Sequence, residues 1–367
     1  MAKIIFEPTT IGDLELKNRL WRSATWLGMA DDEGFVTDAV KVQYKRLAEG
    51  GVGNVIVEFT NILEEEKTYP GILSISTDKH IDGLKDLTNI IHANNANAFI
   101  QIGYGGSTTG IPTDGRVVWG PSAIKNPTNN FAPKEMTHQD IKTVVDGMAQ
   151  AALRAKKAGF DGVQIHAAHG YLFSQFLSPF FNRRKDEYGG SIENRARIFF
   201  ETMEAMKATA GKDFPVIIKM HSDDQWGDNG LTVKESLWLS KELEKRGIDA
   251  IEFSGGNIDP ETGKSALQPR LTKLEKQSYF KNPVAQIAEQ LTIPVILVGG
   301  NRNVGIMEEI LNSTNISYFA MSRTLHSEPD LPNKWMENPE KKPRCVSCNN
   351  CWAPGGNICI IDRKKKK

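Results

Sequence analysis

Three side chains that can polarise a substrate and donate a proton lie in one short stretch, as His166, His169 and Tyr171 around Gly170. They follow the apolar run Gly162 to Ile165, which is short enough to be a buried strand. Imidazole N–H groups at the end of a strand can hold a substrate carbonyl oxygen while negative charge develops on it. A phenol beside them can act as a proton donor. The stretch therefore predicts a catalytic site.

The same histidines also suit zinc, because imidazole is a common zinc ligand. His221, which ends a later apolar run, would be the third ligand in a metal-dependent hydrolase or isomerase. The spacing of His166 and His169 at a strand end lacks the helical register of the zinc-binding HExxH motif. From the residues alone, both interpretations stay open.

Two further apolar runs end in groups that bind phosphate. VILVGG ends in Gly299 and Gly300, and YFAMSR ends in Ser322 and Arg323. Together these residues offer backbone N–H groups, a hydroxyl and a guanidinium, and Arg binds phosphate through a bidentate charge-assisted pair. The two runs predict a phosphate site if their ends lie side by side.

Gln101 and Lys219 each lie at the end of an apolar run. An amide can donate to and accept from the polar edge of a heterocycle, and a fixed ammonium stabilises an anion there. This pair of groups suits a reduced, anionic flavin ring. Alternatively, Lys219 pairs with a buried carboxylate such as Glu252, or it forms a Schiff base in a phosphate-binding lyase or synthase.

The elements that must position these residues alternate between strand and helix, which requires parallel strands joined by right-handed crossovers. Eight such units predict an α/β fold, a (β/α)8 TIM barrel followed by a short cysteine-containing tail. An open doubly wound sheet fits less well, because the turn from Ala24 to Asp38 lacks GxGxxG. The predicted strands are Leu20 to Thr25, Gly53 to Phe59, Ala98 to Ile102, Gly162 to His166, Val216 to Met220, Ala250 to Ser254, Val295 to Val298 and Ser317 to Met321.

Helical periodicity of apolar residues marks the segments between these strands. Thr137 and Thr232 are placed to cap two of the helices. The predicted helices are Thr37 to Glu49, Ile81 to Ala93, His138 to Lys157, Ile192 to Ala208, Val233 to Lys245 and Asn282 to Gln290.

Composition excludes several classes of partner. Among 367 residues, Lys+Arg and Asp+Glu are equal at 45 each, so no overall field steers the chain towards nucleic acid or an anionic membrane. No apolar run approaches the ~20 residues that span a bilayer, and the N-terminus lacks the apolar core of a signal peptide. We expect a cytoplasmic protein that binds a small molecule.

The longest motif, HAAHGYLFSQFLSPFFNRRKDEYGGSIENRAR at His166 to Arg197, resembles the signature of the old yellow enzyme family of FMN-dependent NAD(P)H:flavin oxidoreductases and ene-reductases. RSAT at 22–25, YKRLAEGGVG at 44–53, FSGG at 253–256, PVILVGG and MSR are similar to further family motifs. The resemblance runs from about Phe6 to about Trp335. It implies FMN in the mouth of the barrel, with NADH or NADPH as reductant.

The resemblance also implies roles for single residues. Hydride passes from NAD(P)H to flavin N5 and then to the β-carbon of an activated, enone-type alkene, and Tyr171 protonates the α-carbon. His166 and His169 bind the carbonyl oxygen of this small electrophilic substrate, and Trp26 and Tyr104 shape its pocket. Thr25 is the counterpart of a family Thr or Cys beside the flavin, although a shift of one residue would place Trp26 there. The residues expected to hold FMN are Ser23, Ala24, Thr25, Phe59, Gln101, His166, Lys219, Gly299, Gly300, Ser322 and Arg323.

The four cysteines lie close together near the C-terminus, in the spacing C-x2-C-x2-C-x7-C. Three close thiols and a fourth could hold an iron–sulfur cluster, and a barrel followed by a cluster resembles the longer relatives similar to 2,4-dienoyl-CoA reductase, although the spacing differs from theirs. Zinc or no metal are the alternatives. We predict an FMN-binding barrel over residues 1–340 and a Cys-rich tail over 341–367. We expect a short, single-barrel form that can form homo-oligomers. The cysteines are Cys345, Cys348, Cys351 and Cys359.

Overall fold

Eight parallel strands close into a barrel, as predicted. The computed structural model describes residues 4–110, 114–257, 265–353 and 356–365. Each barrel strand pairs with its neighbours in chain order, and the first strand pairs with both the second and the eighth. The strands are Leu20–Arg22, Asn54–Asn61, Asn97–Gly103, Gly162–Ala167, Val216–His221, Ala250–Ser254, Val295–Val298 and Ile316–Met321.

Helices cover the outside of the barrel, and each crossover helix buries one apolar face against the strands. Thr137 and Thr232 form capping boxes with Asp140 and Glu235, so both expected helix starts are found. In the described ranges, no helix is long and apolar enough to cross a membrane. The main helices are Asp38–Glu49, Ile81–His92, His138–Lys157, Arg197–Ala210, Val233–Lys245, Lys281–Ala288, Val304–Ser313 and Leu331–Glu337.

One predicted helix is divided in two. The segment expected over 192–208 consists of Ile192–Arg195 and Arg197–Ala210. Arg195 lies at the break with its guanidinium buried, where it donates to the carbonyl oxygens of Gly190 and Leu177. These bonds hold the side chain in the body of the protein at the point where the helix is interrupted. Three more short helices are Leu172–Leu177, Arg323–Ser327 and Ile360–Lys365.

Shorter strands close the base of the barrel and brace its loops. An antiparallel hairpin of Thr9–Ile11 and Leu14–Leu16 packs Ile11 and Leu16 into the barrel's interior cluster. Leu73–Ser74 pairs in parallel with the end of the second barrel strand, and Trp119–Gly120 pairs with Lys134–Glu135 in the segment after the third strand. The base is therefore closed by apolar packing, which leaves the carboxyl ends of the strands as the open face.

The barrel interior changes from apolar to polar along the strands. The interior cluster contains Trp21, Phe99, Ile217 and Ala250 on four different strands. Side chains on a strand alternate between its two faces, so the residue two positions later also points inward. Those later residues are polar, and they are Ser23, Gln101, Lys219 and Glu252. A layer of buried polar groups thus lies directly above an apolar floor.

Candidate active site

A closed network of buried hydrogen bonds forms the polar layer. Lys219 Nζ lies 3.2 Å from Glu252 Oε1 and donates to Ser23 Oγ at 2.8 Å. Ser23 Oγ donates to Glu252 Oε1 at 2.7 Å, and Gln164 Nε2 donates to Glu252 Oε2 at 2.7 Å. Gln101 Nε2 in turn donates to Gln164 Oε1 at 2.7 Å. The network fixes both partners of a buried ion pair, which such a pair needs in order to persist away from water.

Lys219 and Gln101 line the same cavity above this network. The alternative pairing of Lys219 with Glu252 is present in the structure. It does not prevent Lys219 and Gln101 from lining the cavity. The result is a fixed ammonium and a fixed amide beside each other at the floor of a pocket. These groups are placed to meet the polar edge of a ring.

His166 and His169 are held by different contacts. His166 lies inside the fourth barrel strand, and its Nδ1 accepts from the N–H of Ala168 at 3.4 Å, so the neutral ring carries its proton on Nε2. His169 has the left-handed φ of 58°, and its N–H donates to His221 Nε2 at 2.8 Å. His169 Nε2 lies 2.8 Å from Ser254 Oγ. Its neighbours thus fix the ring position of each site histidine.

The three histidines are neutral. Burial, reinforced by the charge of Lys219, lowers the pKa of His166 and His169 well below the usual value. The same two causes lower the pKa of His221 to about 3. At neutral pH the two imidazoles of the site are therefore uncharged, and each can donate one hydrogen bond.

The metal interpretation of these histidines finds no support in the geometry. Within the described ranges, the close group of three or more metal-ligand atoms is His138, Asp186 and Glu187. His138 and Glu187 of that group are exposed, and it lies outside the cavity. His221 instead accepts the backbone N–H of His169 and so orients the loop.

Tyr171 places its phenol between the histidines and a second tyrosine. Its ring packs against His166 at 4.6 Å and Phe59 at 4.9 Å between ring centroids. Its hydroxyl donates to the hydroxyl of Tyr69 at 3.2 Å. Burial raises the pKa of Tyr171 well above the usual value, with the neighbouring Tyr69 as the next cause. The phenol is therefore protonated at neutral pH and available as an acid.

The seventh and eighth strands end side by side, as the phosphate prediction requires. Arg323 donates to the carbonyl oxygen of Gln268 at 2.8 Å and to Asn349 Oδ1. A second guanidinium, Arg302, lines the same cavity and donates to Ser347 Oγ at 3.2 Å. Two guanidinium groups at one end of a cavity are a suitable donor set for a phosphate dianion.

Gly299 and Gly300 have φ values of 118° and 79°, which favour glycine. A Cβ on Gly299 would come within 2.6 Å of the Phe280 ring, and one on Gly300 within 2.8 Å of Tyr279. Glycine therefore lets these two rings pack behind the loop while its backbone lines the cavity.

Nearly all the predicted site residues converge on one cavity of about 520 Å³. Its volume falls within the range of small-molecule and cofactor sites. The first barrel strand ends at Arg22, earlier than predicted, and both Thr25 and Trp26 reach the cavity from the segment that follows. The predicted residues that line the cavity are Ser23, Ala24, Thr25, Trp26, Phe59, Gln101, His166, His169, Tyr171, Lys219, Gly299, Gly300, Ser322 and Arg323.

Tyr104 is a correction to the predicted substrate pocket, because it does not line this cavity within the described ranges. Its ring is buried in the apolar cluster between strands and helices, where it stacks on Trp119 with 5.7 Å between ring centroids. Tyr104 follows the last residue of the third strand, and its side chain falls on the face that the helices cover.

Sequence reasoning missed an aromatic wall of the cavity. Trp26 stacks on Tyr69 at 4.8 Å and on Trp352 at 5.8 Å between ring centroids. Tyr69 comes from the loop after the second strand, and Trp352 comes from the cysteine tail. Arg302 was also missed, although it stands two residues after the glycine pair. The tail therefore contributes to the site.

The sequence pattern of the NADH:flavin oxidoreductase / NADH oxidase family matches residues 4–342. The chain belongs to this family. An old yellow enzyme homologue from Zymomonas mobilis has a similar structure, with a TM-score of 0.79, 25% identity and coverage of 97% of this chain and 98% of the other. Family membership confirms the resemblance seen in the sequence.

Two relatives of this flavin oxidoreductase family differ in length. An NADPH dehydrogenase of Clostridium acetobutylicum is 34% identical over 329 residues, which cover 89% of this chain and 92% of the relative. An NADH oxidase of Thermoanaerobacter brockii is 32% identical over 349 residues, which cover 94% of this chain and 52% of the relative. The chain thus spans about half the length of the NADH oxidase.

The buried ion pair of Lys219 and Glu252 leads to a prediction about the stability of the protein. Lys219→Met and Glu252→Gln should each lower the free energy of unfolding in urea by about 3 kcal/mol, because each leaves a buried partner without its counter-charge. The double variant should lose clearly less free energy of unfolding than the sum of the losses in the two single variants. The control is the exposed pair Lys142–Asp146, at 2.7 Å, whose double-mutant cycle should show almost no coupling. Additive losses at Lys219 and Glu252 would contradict the interpretation.

Proposed function

We propose that this protein is an FMN-dependent NAD(P)H oxidoreductase that reduces activated, enone-type alkenes. The observation that carries the proposal is the convergence of two neutral imidazoles, a protonated phenol, a fixed ammonium and two guanidinium groups on one cavity. Family membership supports the same activity. The names of the relatives include both NADH and NADPH, so either nucleotide is a candidate reductant.

The residues present fit FMN. The guanidinium groups of Arg302 and Arg323 form a phosphate-binding end, and Lys219 with Gln101 offers polar contacts to a ring at the floor. The cavity, at about 520 Å³, is also large enough to hold a cofactor such as FMN. When bound, FMN would supply hydride transfer between the nicotinamide and the substrate. The remaining contacts to FMN would come from Ser23, Ala24, Thr25, Phe59, His166, Gly299, Gly300 and Ser322.

The chain's own residues would then bind, polarise and protonate the substrate. The N–H groups of His166 and His169 bind the carbonyl oxygen and polarise the alkene, and their neutrality lets them donate without adding charge. Tyr171 gives its proton to the α-carbon, since its buried phenol is protonated at neutral pH. Trp26 borders the pocket and would contribute apolar surface to it.

We further infer that the cysteine tail holds an iron–sulfur cluster. Cys345, Cys359 and Cys348 each help to raise the pKa of Cys351 to about 11, after burial, so the four thiols lie near one another. Sulfurs on one tetrahedral zinc stand roughly 3.8 Å apart, since each Zn–S bond is about 2.3 Å. Within the described ranges, no three cysteine sulfurs lie within 4.8 Å of one another. The thiols as placed do not form a tetrahedral zinc site, so the proposal of a cluster rests on the C-x2-C-x2-C-x7-C spacing and on the proximity of the four thiols.

The setting of the protein is also part of the proposal. The substrate is a small electrophile, and the cytoplasm, where NADH and NADPH are available, is the proposed location. The proposed chemistry requires no partner protein, and the formation of homo-oligomers stays a prediction.

The first test is FMN retention. The purified protein should carry flavin absorbance that bleaches on anaerobic addition of NADH or NADPH. Arg323→Ala should weaken FMN binding about tenfold or more, because a charge-assisted phosphate contact is lost. Arg154→Ala, at a surface ion pair outside the cavity, is the matched control and should keep its FMN. A colourless protein that added FMN cannot restore would overturn the proposed function.

The second test separates the two half-reactions. Tyr171→Phe should slow reduction of a test enone by about 10²-fold or more, because the general acid is removed, while flavin reduction by NAD(P)H stays nearly unchanged. Tyr104→Phe, at a buried tyrosine outside the cavity, should leave both half-reactions unchanged. Equal losses in both half-reactions of Tyr171→Phe would sink the proton-donor role.

The third test concerns the tail. Anaerobically reconstituted protein should contain iron and acid-labile sulfide, and Cys351→Ser should lose most of both, because the cluster loses a thiolate ligand. Zinc without sulfide in the wild-type protein would favour the zinc alternative. Neither metal after reconstitution would reject the cluster.

A further inference from the structure

The proton donor of the proposed reaction is connected to a second cavity. This cavity measures about 550 Å³ and is lined by Tyr69, Thr68, Glu66 and Arg116 among others. Tyr69 lines both cavities, and its hydroxyl accepts from that of Tyr171 at 3.2 Å. A single phenol therefore stands between Tyr171 and a separate, polar space.

Glu66 lies in the wall of this second cavity and is only 7% exposed. Its Oε1 accepts from Thr68 Oγ1 at 2.7 Å and from the N–H of Gly105. Its Oε2 has no hydrogen-bond partner among the described residues. A buried carboxyl oxygen without a partner is costly unless it is protonated or meets water. Burial raises the pKa of Glu66 to about 7, so it can take up and release a proton near neutral pH.

The proposed reaction needs a supply of protons to Tyr171. Each turnover breaks the O–H bond of Tyr171 and leaves a phenolate in a buried site, where its raised pKa makes the charge unfavourable. The phenolate must regain a proton before the next substrate is reduced. While substrate and cofactor fill the first cavity, the bond to Tyr69 connects Tyr171 with a hydroxyl whose residue also borders the second cavity.

We propose that the second cavity supplies protons to Tyr171 through the hydroxyl of Tyr69, with Glu66 as the group that holds the proton in its wall. This inference rests on the proposed function. The proton of Tyr69 passes to the Tyr171 phenolate, and Tyr69 takes a replacement from Glu66 through water in the second cavity. Glu66 is then reprotonated from solvent. No electrons move, and the net change is one proton from solvent to the α-carbon of the product.

The local geometry permits these steps. The cavity is wide enough for water, and its walls carry several polar groups that can hold water in place. The Tyr69 hydroxyl donates to the carbonyl oxygen of Thr108 at 3.2 Å, so a rotation of this hydroxyl turns its proton towards Tyr171. Glu66 also helps to raise the pKa of Tyr171, which places the two groups within electrostatic reach of each other.

Tyr69 has a structural role that the test must separate from proton transfer. Its ring stacks on Trp26 at 4.8 Å between ring centroids. Tyr69→Phe keeps that ring and removes only the hydroxyl. Glu66→Gln keeps the side-chain size and removes the capacity to hold and release a proton. Tyr104→Phe is the matched control, because Tyr104 is a buried tyrosine whose pKa Glu66 also raises but which lines neither cavity.

The experiment measures three quantities on the FMN-loaded enzyme, with a test enone as substrate. These are the rate of flavin reduction by NADPH, the steady-state rate of enone reduction, and the solvent deuterium isotope effect on that rate. Tyr69→Phe and Glu66→Gln should keep the first quantity, lower the second about tenfold or more, and raise the third, because proton delivery becomes limiting. Tyr104→Phe should match the wild type in all three.

Each outcome decides between the two proposals. If wild-type enzyme reduces the enone and both variants match its rate and isotope effect, the proton route is wrong while the proposed function stands. If Tyr69→Phe does not fold, Glu66→Gln alone decides the route by the same measurements. If wild-type enzyme holds FMN but reduces no activated alkene, the proposed function fails, and the proton route fails with it.

Discussion

The buried ion pair of Lys219 and Glu252 is the constraint on which the rest of the site depends. Breaking such a pair costs about 3–5 kcal/mol, a large part of the 5–15 kcal/mol by which a folded domain is stable. The barrel can therefore carry a charge at its centre only if both partners are held and hydrogen-bonded. Ser23 and Gln164 provide these bonds, and the apolar layer beneath them keeps the charged groups at the open face.

The same charge determines how the histidines can act. After burial, the ammonium of Lys219 is the main cause that lowers the pKa of His166 and His169. A group that stabilises negative charge on a bound ring thus also keeps the neighbouring imidazoles neutral. Neutral imidazoles bind a carbonyl oxygen as donors, whereas two imidazolium groups would repel each other and the nearby ammonium of Lys219. Burial and this one charge together therefore set the protonation states that the proposed chemistry needs.

The strands and the residues on them could be predicted from sequence, because a barrel strand is a short apolar run and its side chains alternate with period two. Gln101, His166 and Lys219 lie where that alternation places them. Beyond the end of a strand the alternation stops, and loop packing decides direction. For this reason Tyr104 turned out to face the helices, while Tyr69 and Trp352, from a loop and the tail, reached the cavity unpredicted.

The tail was predicted as a segment outside the barrel, yet its contacts tie it to the cavity. Asn349 binds the Arg323 guanidinium, Ser347 binds that of Arg302, and Asn357 donates to the carbonyl oxygen of Trp26 at 2.9 Å. The phosphate-binding end and the aromatic wall are thus both held by residues that lie among the cysteines. Whatever orders the cysteines also orders two sides of the cavity. The tail and the barrel therefore build one cavity together, although only the barrel forms the closed sheet.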